Sequence, residues 1–169
     1  MSDEKLSQNV IGITGMRSKK LIDTGLELFS EGDVEEAIKC FKKSLDLEET
    51  PEGYTYWAWM LSFTGELDQA IELCKTAIQL DEDFGNPYND IGTYYMKKGE
   101  LERAVPWLEK AKNCKRYEPK QFPFLNLGRI YLSQGMFLKA LREFEGALEH
   151  DPENSELRSV IARIRQNHA

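Results

Sequence analysis

The sequence predicts an all-α protein built from antiparallel helix pairs. Three columns of small residues recur along the 169-residue chain with the same spacings of 33, 34 and 36 residues: Gly32, Gly65, Gly99 and Gly135; Ala37, Ala70, Ala104 and Ala140; Gly25, Ala58, Gly92 and Gly128. Self-similarity at a period of about 20–50 residues is typical of repeat proteins. The apolar residues between these columns follow the period of a helix.

Each repeat is predicted to contain two helices separated by a glycine. In the third repeat, the apolar stripes are Tyr88, Ile91, Gly92 and Tyr95, and then Leu101, Ala104, Val105 and Leu108. Gly99 lies between them, and glycine ends a helix readily because it adopts the left-handed conformation at little cost. The small residues of the other two columns are expected to let the paired helices approach closely, so a bulky replacement would overpack the pair.

These columns resemble the consensus of the tetratricopeptide repeat. The fourth repeat shows the resemblance at seven positions: Gly128, Tyr131, Gly135, Ala140, Phe144, Ala147 and Pro152. The resemblance covers about residues 18–154, and it implies a right-handed α-solenoid, the superhelix of this family, made of four helix pairs. The expected units are 18–50, 51–84, 85–120 and 121–154.

The two ends of the chain depart from the repeat pattern. Leu157, Val160, Ile161 and Ile164 form another helical stripe, which predicts a C-terminal capping helix over residues 155–169 with a polar outer face. Residues 1–17 do not match the repeat, and Gly12 and Gly15 weaken any helix there. We expect a flexible arm, the alternative being a short segment packed on the first repeat.

Composition excludes several classes of function. The net charge is −7 and the isoelectric point about 5.0, which argues against a nucleic-acid surface. No apolar stretch is long enough to span a membrane, and the N-terminus lacks the pattern of a signal peptide. Cys40, Cys74 and Cys114 have neither disulfide nor zinc spacing. A cytoplasmic location is therefore expected.

No catalytic or metal-binding pattern is present in the sequence. The two histidines, His150 and His168, have no nucleophile near them in the pattern. The acidic pairs Glu35–Glu36 and Glu48–Glu49 are expected to lie on solvated surface without an enclosing pocket. We therefore expect a protein that is not an enzyme and that needs no metal or cofactor.

The resemblance places the first helix of each pair on the concave side of the solenoid, where partners bind. The implied groove positions are Ile22, Leu26, Phe29, Tyr56, Trp59, Phe63, Asn89, Thr93, Met96, Phe122, Asn126 and Arg129. Exposed aromatic residues are typical binding anchors. Asparagine side chains can hold a peptide backbone, and arginine can pair with a carboxylate. The expected partner is a protein or peptide segment, bound by an adaptor or scaffold.

Three alternatives to this adaptor function remain open from the sequence. The same surface could be covered by residues 1–17 or by a second copy of the chain. The length and helical-repeat build are also similar to those of type III secretion translocator chaperones, which hold an apolar segment of a secreted protein. One family subtype is rejected, because the positions of its clamp for acidic C-termini are occupied here by the wrong residues: Ile22, Leu26, Tyr56, Asn86 and Asp90.

Overall fold

A computed structural model describes the backbone of residues 3–168 and the side chains of residues 12–167. Over this range the chain forms nine α-helices, which confirms the predicted all-α class: α1 Asp3–Ser30, α2 Val34–Leu47, α3 Pro51–Thr64, α4 Leu67–Leu80, α5 Asn86–Lys97, α6 Leu101–Asn113, α7 Gln121–Ser133, α8 Phe137–His150 and α9 Ser155–His168.

The chain divides into two compact units, Met1–Asp81 and Glu82–Ala169, here called the N-terminal and C-terminal units. In the N-terminal unit, α1 packs on α2, α2 on α3, and α3 on α4. In the C-terminal unit, α5 packs on α6, α6 on α7, α7 on α8, and α8 on α9. Helices that follow one another in the chain are thus neighbours within each unit, as expected for helix pairs joined by short loops.

The glycine column ends the first helix of each pair. Gly32, Gly65, Gly99 and Gly135 all have positive φ, with values of 92°, 89°, 76° and 71°. Residues with a Cβ rarely adopt this conformation, so glycine is the residue that can turn the chain here. The predicted role of this column is confirmed.

The other two columns lie where paired helices touch. A Cβ added to Gly25 would lie 2.7 Å from the Phe41 ring, and one added to Gly128 would lie 2.4 Å from the Phe144 ring. The alanines of the second column are fully buried: Ala37, Ala70, Ala104 and Ala140. Close approach of the two helices therefore depends on small side chains, as the sequence predicts.

The C-terminal helix α9 covers the last pair. Leu157, Ile161 and Ile164 are buried against α8, in one core with Phe144 and Ala147. The side-chain oxygen of Asn154 accepts a hydrogen bond of 2.9 Å from the backbone N–H of Leu157 and so satisfies one of the free donors at the start of α9. Arg158, Arg163 and Arg165 are exposed, which gives α9 the polar outer face expected of a capping helix.

The start of the chain, expected as a flexible arm or a short segment packed on the first repeat, belongs to the first helix. α1 begins at Asp3, so residues 3–17 continue the helix that pairs with α2. Gly12 and Gly15 each cost about 1 kcal/mol relative to alanine. Helix nucleation is the expensive step, however, and adding turns to a helix that is already packed costs little. Residues 1 and 2 of the expected arm lie outside the described residues.

The long junction between the third and fourth repeats folds back on the start of the C-terminal unit. The backbone N–H of Gly85 donates to the Arg116 carbonyl at 2.9 Å, and the Arg116 N–H donates to the Asp83 carbonyl at 3.0 Å. Tyr117 is buried against Gly85, where an added Cβ would lie 2.4 Å from the Tyr117 Cβ. This junction lies within the 36-residue spacing, which is two residues longer than the 34-residue spacing before it, and it places Tyr117 in the core.

None of the helices in the described part of the chain is long and apolar enough to cross a membrane.

Candidate functional site

Three groove residues predicted for the N-terminal unit form an aromatic cluster. The Phe29 ring of α1 lies 4.6 Å from the Trp59 ring and 5.2 Å from the Phe63 ring of α3, and Trp59 and Phe63 are 5.6 Å apart, all measured between ring centroids. Phe29 and Trp59 are half-buried, whereas Phe63 is 54% exposed. The aromatic cluster therefore presents apolar surface at the C-terminal ends of the two first helices.

The other three residues predicted for this unit line an acidic cavity of about 460 Å³ next to the cluster. Ile22 and Leu26 of α1 and Tyr56 of α3 form its apolar wall and pack with Phe29 and Trp59 in the same core. The cavity also has a polar rim: Gly15, Ser18, Lys19, Asp23, Glu48, Thr50 and Glu52. Ligand cavities typically have volumes of about 300–1,000 Å³, so this cavity is large enough for a side chain or a short peptide segment.

Local hydrogen bonds hold the loop that frames the cavity. Thr50 caps α3, with its hydroxyl accepting a bond of 3.1 Å from the Gly53 N–H. The buried Ser18 hydroxyl donates to the Ser44 carbonyl at 3.1 Å, which ties α1 to the end of α2. A Cβ on Gly15 would lie 3.1 Å from a Glu48 carboxylate oxygen, so Glu48 reaches across to α1. The cavity therefore has a fixed frame.

The expectation that Glu48 and Glu49 lie without an enclosing pocket is wrong. Glu48 lines the acidic cavity, and Glu49 lines a second cavity with Lys42, Leu45, Asp46, Tyr54 and Trp57. Sequence reasoning missed both positions because the walls come from helices α1, α2 and α3. The repeat period predicts where small and apolar residues lie. It does not predict the position of carboxylates in the loops, so it could not indicate these cavities.

The charges around the acidic cavity favour a cation. Three carboxylates, Asp23, Glu48 and Glu52, face one ammonium group, Lys19. Neither Asp23 nor Glu48 forms an ion pair with any side chain among residues 12–167, and both are exposed to solvent. Glu48 is also the C-cap of α2, whose last turn contains no basic residue to offset the negative end of the helix.

The groove residues predicted for the C-terminal unit include a hydrogen-bonded polar cluster. The side-chain amide of Asn126 in α7 donates to Asn89 Oδ1 at 3.1 Å and to Thr93 Oγ1 at 3.3 Å, both in α5. Arg129 donates from Nη1 to Asn126 Oδ1 at 3.3 Å. Asn126 is only 8% exposed, and Arg129 is exposed. These contacts orient the Arg129 guanidinium and occupy the Asn126 amide.

A buried carboxyl adjoins this polar cluster. Burial raises the pKa of Asp90 in α5 to about 7, while a side-chain hydrogen bond with Asn89 and the charge of Lys97 act in the opposite direction. Burial also raises the pKa of Tyr117, and the negative charge of Asp90 adds to that increase. Asp90 therefore gains or loses its proton near neutral pH.

The two remaining predicted residues lie at opposite ends of their helices. Met96 is half-buried in the last turn of α5, and Phe122 is exposed in the first turn of α7. The hydrogen bonds of the polar cluster do not involve either side chain.

Among the described residues, no group of three His, Cys, Asp or Glu side chains could hold a metal ion. The imidazole of His150 packs 5.3 Å from the Phe124 ring, measured between centroids.

Comparison with known families agrees with the fold. Tetratricopeptide-repeat models match four segments, at residues 25–51, 58–84, 86–114 and 123–154. Together these segments cover most of the chain, and each overlaps one of the helix pairs described above. The chain belongs to the tetratricopeptide-repeat family.

Individual relatives share the repeat architecture. Superkiller complex protein 3 of Homo sapiens is 31% identical over 139 residues, which are 80% of this chain and 9% of the relative. The Pseudomonas aeruginosa PilF structure has a TM-score of 0.83 at 20% identity and covers 91% of this chain and 70% of its own. The second repeat domain of Spaghetti (RPAP3) was solved with the HSP90 peptide SRMEEVD. It has a TM-score of 0.60 at 21% identity, and the match covers 65% of this chain and 96% of that domain.

The chain spans a third or less of the length of the curated relatives first matched, with shares of 25%, 31% and 9%.

Proposed function

We propose that this protein is a non-catalytic adaptor that binds a peptide segment of a partner protein on the first-helix face of its repeats. Membership of a family of interaction scaffolds supports the coarser part of this proposal. The aromatic cluster of Phe29, Trp59 and Phe63 supports the finer part. Its Phe63 ring is 54% exposed, although a protein in water gains by burying such a side chain.

Relatives support the class of partner. Superkiller complex protein 3 is named as a member of a complex, and the repeat domain of Spaghetti (RPAP3) was solved with a bound peptide. The present chain has Ile22, Leu26, Tyr56, Asn86 and Asp90 at the positions of the clamp for acidic C-termini, so a peptide such as SRMEEVD is not the proposed ligand. A chaperone that holds an apolar segment of a secreted protein would use the same surface.

A pull-down from the native extract, read by mass spectrometry, tests this proposal. Wild type is compared with Phe63→Ala and with Leu138→Ala, a matched control whose leucine is 78% exposed on α8. We expect at least one partner to be captured by wild type and by Leu138→Ala but lost with Phe63→Ala. Equal capture by all three proteins would place binding away from the aromatic cluster.

Self-association is the second candidate function, and α1 favours it. The helix begins at Asp3, and it exposes Ile13 and Met16, which is 68% exposed. In analytical ultracentrifugation, wild type should then sediment as a dimer. The double variant Ile13→Ser/Met16→Ser should sediment as a monomer. A monomer in both cases over the accessible concentration range would reject this candidate.

A further inference from the structure

We infer that the acidic cavity selects a partner segment with a lysine or arginine about three positions from an aromatic or aliphatic residue. This inference rests on the proposed function and adds the chemistry of the ligand. The basic side chain occupies the acidic cavity, and the apolar residue lies on the aromatic cluster.

Continuity of the surface is the first argument. Ile22, Leu26 and Tyr56 line the cavity, and they pack in one core with Phe29 and Trp59 of the aromatic cluster. A single ligand can therefore contact both. Burying its apolar residue there is favourable because it removes apolar surface from water.

Charge complementarity is the second argument. The cavity brings the carboxylates of Asp23 and Glu48, which lack ion-pair partners among the described side chains, to one end of an apolar surface. Lysine and arginine match this arrangement, because their apolar stems pack on surfaces such as Leu26 and Tyr56 while their charged heads reach the rim. An acidic ligand would be repelled. The cavity wall has three carboxylates, and Lys19 can neutralise only one of them.

Spacing is the third argument. In α1, Phe29 follows the cavity residue Ile22 by seven positions. In α3, Phe63 follows the cavity residue Tyr56 by the same number, so the cavity and the aromatic cluster form two levels along these helices. A helix rises about 1.5 Å per residue, so the two levels are about 10 Å apart. An extended peptide covers about 3.3–3.6 Å per residue, so about three residues separate the two anchors.

The test is selection of randomised octapeptides displayed on phage by the immobilised full chain. We expect wild type to enrich peptides with lysine or arginine two to four positions from an apolar residue. Asp23→Asn/Glu48→Gln removes two charges at nearly constant volume and should lose the basic preference. Glu31→Gln/Glu35→Gln removes two exposed charges of the same unit and should keep it.

Synthetic copies of the enriched peptides then give the size of the effect by fluorescence anisotropy. The dissociation constant should rise roughly tenfold in Asp23→Asn/Glu48→Gln and stay within about twofold in Glu31→Gln/Glu35→Gln. Thermal unfolding of each variant verifies that it is folded.

The outcomes separate the two proposals. Enriched peptides that depend on Phe63 but lack a basic residue would overturn the inferred basic selection and leave the peptide surface standing. The basic selection is likewise overturned if a basic preference survives Asp23→Asn/Glu48→Gln or if acidic peptides are enriched. Failure to enrich any sequence would count against both the basic selection and the peptide-binding surface.

Discussion

The Asn126 side chain of α7 donates a hydrogen bond of 3.1 Å to Asn89 Oδ1 of α5 and joins the first helices of two consecutive repeats. Its second bond, of 3.3 Å to Thr93 Oγ1, is to the same helix. Because Asn126 is almost fully buried, an apolar replacement would leave Asn89 without this donor in a place that water reaches poorly. The pair therefore contributes to the packing of α5 on α7.

Asn126→Ala is predicted to lower the free energy of unfolding by about 1–3 kcal/mol. Urea denaturation followed by circular dichroism measures the change. Asn113→Ala is the control, since Asn113 is exposed and bonds only the Glu109 carbonyl of its own helix, and it should change stability by less than about 0.5 kcal/mol. Similar losses for both variants would show that the contact between the two asparagines adds little.

Asp90 is predicted to make stability depend on pH. Its pKa is about 7 in the folded chain against 3.8 as the ordinary value. Between these two values the folded state binds more protons than the unfolded state, so stability falls as pH rises from about 4 to about 7 and then levels off. Asp90→Asn, which stays uncharged, should remove this decline.

The difference in the free energy of unfolding between wild type and Asp90→Asn is largest in alkaline solution. Asp90→Asn should be more stable than wild type at pH 8, by up to roughly 4 kcal/mol, and the gap should shrink towards pH 4. Asp46→Asn, at an exposed position of α2, should show no such gap. A constant difference between wild type and Asp90→Asn at all pH values would contradict the buried, neutral carboxyl.

Two glycine-to-alanine changes in different surroundings are predicted to have opposite effects on stability. In Gly128→Ala the new Cβ would lie 2.4 Å from the Phe144 ring, which is itself buried, so overpacking should cost about 1–3 kcal/mol despite the better helix propensity of alanine. In Gly12→Ala nothing lies within 4 Å of the new Cβ. That variant should gain up to about 1 kcal/mol in thermal or urea unfolding. Stabilisation by both changes would mean that the Phe144 ring moves freely.

The sequence predicts the helix pairs well because their signals are local. Positive φ at Gly99, a missing Cβ at Gly92 and the stripe around Ile91 each depend on neighbours within one repeat, and each recurs with the period. The 3.6-residue pattern also predicts α9 from Leu157 and Ile161. Periodicity is therefore sufficient for the fold class.

The site is less predictable because it depends on contacts between distant parts of the chain. Ser18 bonds the carbonyl of Ser44, and Glu48 reaches Gly15, so the acidic cavity combines residues about thirty positions apart. The groove positions taken from the family specify which face a residue occupies. They do not specify that Asn126 uses its amide internally or that desolvation raises the pKa of the Asp90 carboxyl.

The ion pair between Lys112 of α6 and Glu143 of α8 provides a further test of packing in the C-terminal unit. Lys112 Nζ lies 2.9 Å from one Glu143 carboxylate oxygen and 3.2 Å from the other, and it also lies 4.6 Å from the centre of the Phe124 ring. The two side chains are only 17% and 11% exposed. Removing one partner of such a pair leaves the other charge poorly solvated.

Lys112→Met should therefore destabilise the protein by about 2–4 kcal/mol, because Glu143 then keeps its charge in a nearly buried place. Adding Glu143→Leu should recover most of this loss, since the double variant replaces two charges by apolar side chains of similar size. Urea unfolding of both single variants and the double variant gives the coupling free energy between the residues. Additive losses in the double variant would show that the two charges contribute no coupling free energy, and that each side chain acts through its own packing, such as that of Lys112 on Phe124.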